Sequence, residues 1–251
     1  MKDARREILL KVSLGEITPE AAARQLDGIE PESAPEAVRT EVAPASDLLR
    51  VRIVTRMGSV TVVGDSSVRE AIADGPHRAH REGETLVIEA DDDSRAGFRF
   101  GGGRRHFEDE ARRRLRVRMN PALALDSDVS AGSLRVEGVR GPIRAKTQAG
   151  STRIAEFNGP LDLDVQAGSV NAWGRLTEGA SHIRCQAGSV NINLQHGSSV
   201  RVRARTSMGR VNLPDGRSVG RGAHQETVIG DGRATLDIDS EMGSVNVIAD
   251  S

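Results

Sequence analysis

A five-residue pattern centred on glycine recurs seven times in this chain, and it constrains the fold more than any other feature of the sequence. The copies are Met57-Gly58-Ser59-Val60-Thr61, Ala131-Gly132-Ser133-Leu134-Arg135, Ala149-Gly150-Ser151-Thr152-Arg153, Ala167-Gly168-Ser169-Val170-Asn171, Ala187-Gly188-Ser189-Val190-Asn191, Met208-Gly209-Arg210-Val211-Asn212 and Met242-Gly243-Ser244-Val245-Asn246. The four intervals from Gly132 to Gly209 are 18, 18, 20 and 21 residues, and the first and last are longer. Repetition at this period marks stacked units that bury their apolar sides against one another.

Apolar or small residues fall at every second position on both sides of each glycine. Before Gly168 they are Leu161, Leu163, Val165 and Ala167; before Gly58, Val51, Ile53, Thr55 and Met57; before Gly243, Leu236, Ile238, Ser240 and Met242. After the glycine the parity shifts by one, giving Val170 and Ala172, Val190 and Ile192, Val211 and Leu213, or Val245 and Val247. Period two signals strand. A one-residue slip would turn the apolar face to water unless the chain bends there, and glycine accepts the backbone angles of such a bend. Each glycine is therefore expected to be a structural corner. A second series, Gly141, Gly159, Gly179 and Gly197, lies between the corners and supplies the turn at the other end of each coil.

The expected fold is all-β, a single-chain β-solenoid with coils of about 18–21 residues. Seven coils at about 4.8 Å per strand make a rod on the order of 35 Å long. Aromatic residues are 2% of the chain, with no Tyr and one Trp, so the interior is narrow and filled by Val, Leu, Ile and Ala.

Outward positions form polar ladders, Asn171, Asn191, Asn212 and Asn246 at one corner and Gln148, Gln166 and Gln186 at another. Stacked amides hydrogen-bond along such an array. A polar strip that binds glycan is the other reading of the same residues.

The repeat domain spans residues 48–251, with inserts near 64–114 and 214–233. Ahead of it, residues 1–29 are expected to form a helical hairpin. Ile8, Leu9, Val12 and Leu14 line the first helix, Gly15 ends it, and Thr18 and Pro19 open a second helix carrying Ala21, Ala22, Ala23, Leu26 and Ile29. A hairpin of this size needs something to pack on, so a protein partner or self-association through residues 1–29 is expected. Residues 30–47, with Pro31, Pro35 and Pro44, read as a linker.

In the first insert, residues 68–73, 76–81 and 85–90 read as strands, with a turn over residues 81–84. Degenerate coils and an antiparallel cap fit them equally. The run from Gly97 to Phe107 reads as a loop leading to a strand at residues 115–119. Three of the four Phe residues lie in that run, so Arg104, Arg105, Phe107, Arg112 and Arg113 are candidates for contact with an anionic membrane or another acidic surface. The second insert holds the turns Pro214-Asp215-Gly216 and Gly230-Asp231-Gly232 and is expected to add one coil. Residues 245–248 would then be a terminal strand edge needing a cap or an end-to-end solenoid contact.

Little in the sequence points to catalysis. Asp162 and Asp164 share a face, but neighbouring coils offer Arg144 and Arg184, which suits solvated charge better than an acid–base pair. The histidines, at 77, 80, 106, 182, 196 and 224, are scattered and complete no metal set. Gly101-Gly102-Gly103 lacks the context of a phosphate loop. The lone Cys185 sits at an inward position and reads as a small core residue. No cofactor and no metal are expected. A net charge of -1 gives no pull toward nucleic acid. Without an apolar run or a secretory core at the N-terminus, the chain reads as cytoplasmic.

The Gly-Ser-Val corners at Gly58, Gly168, Gly188 and Gly243, the stretch Leu115 to Leu125 and the closing Gly230-Asp231-Gly232 to Val247 resemble the "putative adhesin" family of bacterial β-strand repeat proteins of unknown function. The hairpin, with Gly15-Glu16-Ile17-Thr18-Pro19-Glu20, resembles the short helical module that precedes this domain in members linked to the cell-envelope stress response. The fold also resembles the polymerising bactofilins. The resemblances imply no catalytic residues. The expected function is a non-enzymatic cytoplasmic scaffold or regulator; the alternatives are a self-assembling filament protein and a surface adhesin or glycan binder.

Overall fold

The computed structural model describes residues 49–91, 114–214, 218–220 and 224–250. The chain divides into two units, Met1–Ala37 and Val38–Ser251, and every described residue belongs to the second. The expected hairpin at 1–29 and linker at 30–47 lie outside the described residues.

All the described regular structure is strand. In chain order the strands are β1 (Arg50–Gly64), β2 (Ala71–Asp74), β3 (His77–Glu82), β4 (Thr85–Ala90), β5 (Arg114–Met119), β6 (Ala124–Glu137), β7 (Ile143–Phe157), β8 (Leu161–Gly174), β9 (Ala180–Leu194), β10 (Val200–Asn212), β11 (Ser218–Gly220), β12 (His224–Ile229) and β13 (Ala234–Ala249). They form one 13-stranded sheet. Its centre is a stack of long parallel strands in the order β10, β13, β9, β8, β7, β6, β1.

The stack shares one register, and the glycines set it. Gly58, Gly132, Gly150, Gly168, Gly188, Gly243 and Gly209 pair in that order down the stack. A Cβ on Gly168 would lie 1.7 Å from the carbonyl oxygen of Gly150, and one on Gly188 would lie 1.6 Å from that of Gly168. The same distance is 1.6–1.8 Å at every member of the column from Gly132 to Gly209, and no side chain fits there. Six of its members also have φ between 124° and 147°, a region that L-residues rarely adopt.

Each glycine divides its strand into a first limb before it and a second limb after it. Inward side chains of the two limbs meet in a common core. Thr147 and Thr152, on either side of Gly150, share a buried hydrogen bond of 2.9 Å between their hydroxyls. Val, Leu and Ile fill the rest, each worth about 1.5–3 kcal/mol on burial. The slip in parity falls one residue earlier than the sequence suggests. Met57 and Met242 lie outside on the corner, 50% and 48% exposed, because the bend already begins before the glycine. Cys185 is buried, as its parity predicts.

Among the fully buried large side chains Phe157 is the one aromatic. It turns inward past a bulge at Glu156, whose φ is 54°, and lies opposite Gly174 in the register. A Cβ on Gly174 would sit 2.7 Å from the Phe157 ring, so that glycine makes room for the ring.

The first insert adds both parallel and antiparallel strands. β4 pairs with the first limb of β1 and β5 with its second limb, both parallel. The link between them, residues 92–113, lies outside the described residues. β3 and β2 then lie antiparallel on β4 and β5. The second insert is not the extra coil expected from its length. β12 and β11 lie antiparallel on the two limbs of β10 and form a second cap.

The largest departure concerns β13. Instead of ending the stack, it runs between β9 and β10 and pairs with both along its length. Val245 and Val247 are accordingly 0% and 2% exposed, and the strand edge expected there does not exist. The first long strand, β1, is likewise covered, by β4 and β5.

Gly168→Ala should prevent folding or cost at least about 4 kcal/mol, the range reserved for backbone clashes that nothing can relieve. Gly83→Asn, at a φ of 57° with nothing within 4 Å, should stay within about 1 kcal/mol of the parent in urea unfolding. The position of β13 can be read by crosslinking. Ser240 pairs with Cys185, and Thr206 pairs with Ser240 on the far side. Ser240→Cys should form an internal disulfide with Cys185 on mild oxidation, whereas Thr206→Cys, two strands away at about 9.6 Å, should not. The opposite result would place β9 directly against β10.

Candidate functional site

The two limbs present two outward faces of different chemistry. On the first limb, basic and acidic residues alternate from strand to strand. One row reads Arg203, Asp237, His182, Asp162, Arg144, Asp126, Arg52, and the next reads Arg205, Asp239, Arg184, Asp164, Lys146, Asp128. Arg144 donates from Nε to Asp162 at 2.9 Å, and Arg205 donates to both oxygens of Asp239. At the capped end Arg201 and Arg203 reach Glu226 of β12 at 2.8 and 3.4 Å. Asp162 thus sits between Arg144 and His182, and Asp164 between Lys146 and Arg184, so the cross-strand neighbours of both acids are basic residues, as the sequence suggests.

These contacts set the local proton affinities. Arg205 holds the Asp239 carboxyl below its ordinary range, and the Arg201 hydrogen bond does the same for Glu226. At the other cap, hydrogen bonds from Ser67 lower Asp65, which also meets Arg118 at 3.4 Å.

A groove of about 690 Å³ crosses this face near the corner, lined by Arg184, Gln186, Arg205, His224, Asp239 and Glu241 among others. Its strongest cation and acid are bonded to each other. Cys185 lies beneath it with a buried thiol whose pKa burial raises, the opposite of what a nucleophile needs. Among the described residues no group of three or more His, Cys, Asp or Glu is placed to hold a metal ion. No helix among them is long and apolar enough to cross a membrane.

The second limb carries two straight rows. One carries the corner serines Ser59, Ser133, Ser151, Ser169, Ser189 and Ser244, with Arg114 of β5 at one end and Arg210 of β10 at the other. Two residues further along each strand comes Arg116 of β5, then Thr61, Arg135, Arg153, Asn171, Asn191, Asn246 and Asn212. The four asparagines singled out in the sequence do share a row, in the order 171, 191, 246, 212 because β13 is inserted. Asn191 donates from Nδ2 to Asn171 Oδ1 at 3.1 Å. Gln148, Gln166 and Gln186 fall between paired positions of β7, β8 and β9 and form a row at the corner on the first limb. Arg104, Arg105, Phe107, Arg112 and Arg113 lie outside the described residues.

Arg135 and Arg153 were not singled out by their chemistry, although both stand three residues after a corner glycine, where the other copies carry Asn or Thr. Aligning the repeats on glycine would have placed them in the row. Beside them, Trp173 is half-buried on the outer surface with the Arg153 guanidinium 5.7 Å from its ring centroid. Asn193 pairs with Trp173, and its Oδ1 is buried without a hydrogen-bond partner.

No protein-family model matches the chain, and no curated protein matches it. Among solved structures the chain is similar to a crystal structure described as a "putative cell adhesion protein" from Clostridium sporogenes ATCC 15579. The two are 13% identical, and the alignment covers 84% of this chain and 97% of that one with a TM-score of 0.43.

The lowered Asp239 carboxyl makes stability depend on pH. Its folded pKa lies below its unfolded one, so the unfolded chain takes up the proton more readily. The contribution is present above about pH 4 and is lost as pH falls through the folded value. Asp239→Asn should therefore lower the urea midpoint at pH 7, and its stability should fall less steeply than the parent's below about pH 4.

Proposed function

We propose that the parallel stack is a β-solenoid and that the protein is a non-enzymatic scaffold or regulatory protein that displays it. The seven-glycine column carries this reading. It locks seven strands into one register, so the outward side chains of each limb stand in straight rows at strand spacing. Straight rows suit recognition of an extended partner, whereas catalysis needs groups that converge on one reacting atom. The charge pairing on the first limb points the same way, since it engages the acids and cations that general acid–base chemistry would require.

Residues 1–29 are the docking or self-association element in this reading, tethered through residues 30–47. The filament alternative finds less support. Both ends of the stack finish in antiparallel strands, β3 with the sequence HRAHRE and β12 with HQETVI, and charged, reversed edges discourage further parallel addition.

Light scattering on the full chain and on a chain lacking residues 1–29 tests the docking role over a hundredfold concentration range. The full chain should associate into a small defined species and the shortened one should remain a monomer, with the same β circular dichroism and thermal transition. Association that survives the deletion would remove the hairpin from the proposal.

A further inference from the structure

We propose that the outer face of the second limb binds a linear acidic polysaccharide lying along the stack, across the strands. The observation behind this is a contrast between the two faces. On the first limb each basic row position is met by an acid on the next strand. On the second limb Arg135 and Arg153 stand side by side in a row with Thr61 and asparagines instead, and an acid, Asp74 of β2, meets the row at its end, opposite Arg116. Arg153 has Arg135 and Asn171 as its register neighbours, and Arg135 has an exposed contact of 3.9 Å with Glu137.

The composition of the row identifies the ligand. Guanidinium groups recognise carboxylates or sulfates through paired hydrogen bonds. Primary amides and hydroxyls, each able to donate and accept, match the vicinal hydroxyls of a sugar chain. Trp173 adds a flat apolar surface at the junction between the arginine and asparagine halves, and the unpartnered Asn193 Oδ1 lies beside it. The row is straight because the strands share a register, and at about 4.8 Å per strand it extends on the order of 30 Å. That length suits several consecutive sugars in an extended chain.

Two other polymers fit less well. A nucleic acid carries a charge at every repeat and calls for cations along the whole track, with stacked aromatics for single strands. Half of this row is neutral amide, and a single Trp stands beside it. A peptide adding as a strand needs an open backbone edge, and the stacked strands have partners on both sides.

The test titrates the full chain with a fluorescent oligogalacturonate at physiological ionic strength, alongside a neutral cello-oligosaccharide and oligothymidylate. Arg135→Ala/Arg153→Ala is compared with Arg144→Ala/Arg203→Ala, which removes the same charge from the first limb. The acidic oligosaccharide should bind saturably and tighten with length, and the second-limb pair of substitutions should weaken it about tenfold or more. The first-limb pair should leave it unchanged, and the neutral sugar should bind more weakly. Should circular dichroism show the second-limb variant unfolded, Arg153→Lys, which keeps the charge and loses the planar fork, should still weaken binding. Absence of saturable binding by the parent, equal weakening by both pairs, or tighter binding of oligothymidylate would each overturn the proposal.

Discussion

Everything in the described structure depends on a close approach of backbone to backbone at the corner glycines. Each glycine after Gly58 packs against the carbonyl oxygen of the glycine before it in the stack, at a distance that excludes even a methyl group. One contact therefore does three things. It bends the strand so that both limbs turn their apolar sides inward, it fixes the register against one-residue slippage, and it sets neighbouring strands in line with one another. The core can then be built from medium-sized aliphatic residues, because the limbs are brought close enough for Thr147 and Thr152 to touch. A large side chain is accommodated only where the neighbouring coil yields the space, as Gly174 does for Phe157.

Given that register, electrostatics accounts for the unexpected place of β13. If β10 followed β9 directly, Arg184 and His182 would face Arg205 and Arg203. With β13 between them, Asp239 separates Arg184 from Arg205 and Asp237 separates His182 from Arg203, and basic and acidic residues alternate from β10 to β1 in one row and from β10 to β6 in the other. Each such pair is solvent-exposed and worth at most about 1 kcal/mol. Like charges directly opposite cost a similar amount with the other sign, so keeping Arg184 from facing Arg205 favours the interleaved order over the sequential one. The two caps complete the arrangement by reversing strand direction at both ends, which leaves charged and polar edges there.

The consequence for function is that the two faces are not equivalent. The first limb spends its charge on holding the stack in order. The second limb contributes serines, asparagines and arginines in rows that the fold does not need for its own pairing, which is why the proposed ligand is assigned to it. A row of this kind arises from repetition, since the residues three positions after every corner, here Thr, Arg or Asn, become a line once the copies are stacked.

Much of this was legible in the sequence. The corners, the period-two limbs, the inward Cys185, the shared asparagine row and the strands of the first insert can all be read from residue spacing, because alternation and glycine placement are local consequences of strand geometry. The exposure of Met57 and Met242 was not legible, since the bend occupies more than the glycine itself. Nor was the order of the stack, because the seven copies are interchangeable in sequence and their order depends on which strands meet through their outward charges. The sequence by itself determined that these residues form bent strands sharing one corner and one register. Only the tertiary structure decided that β13 enters between β9 and β10 and that both ends are closed by reversed strands, because those choices rest on contacts between residues far apart in the chain.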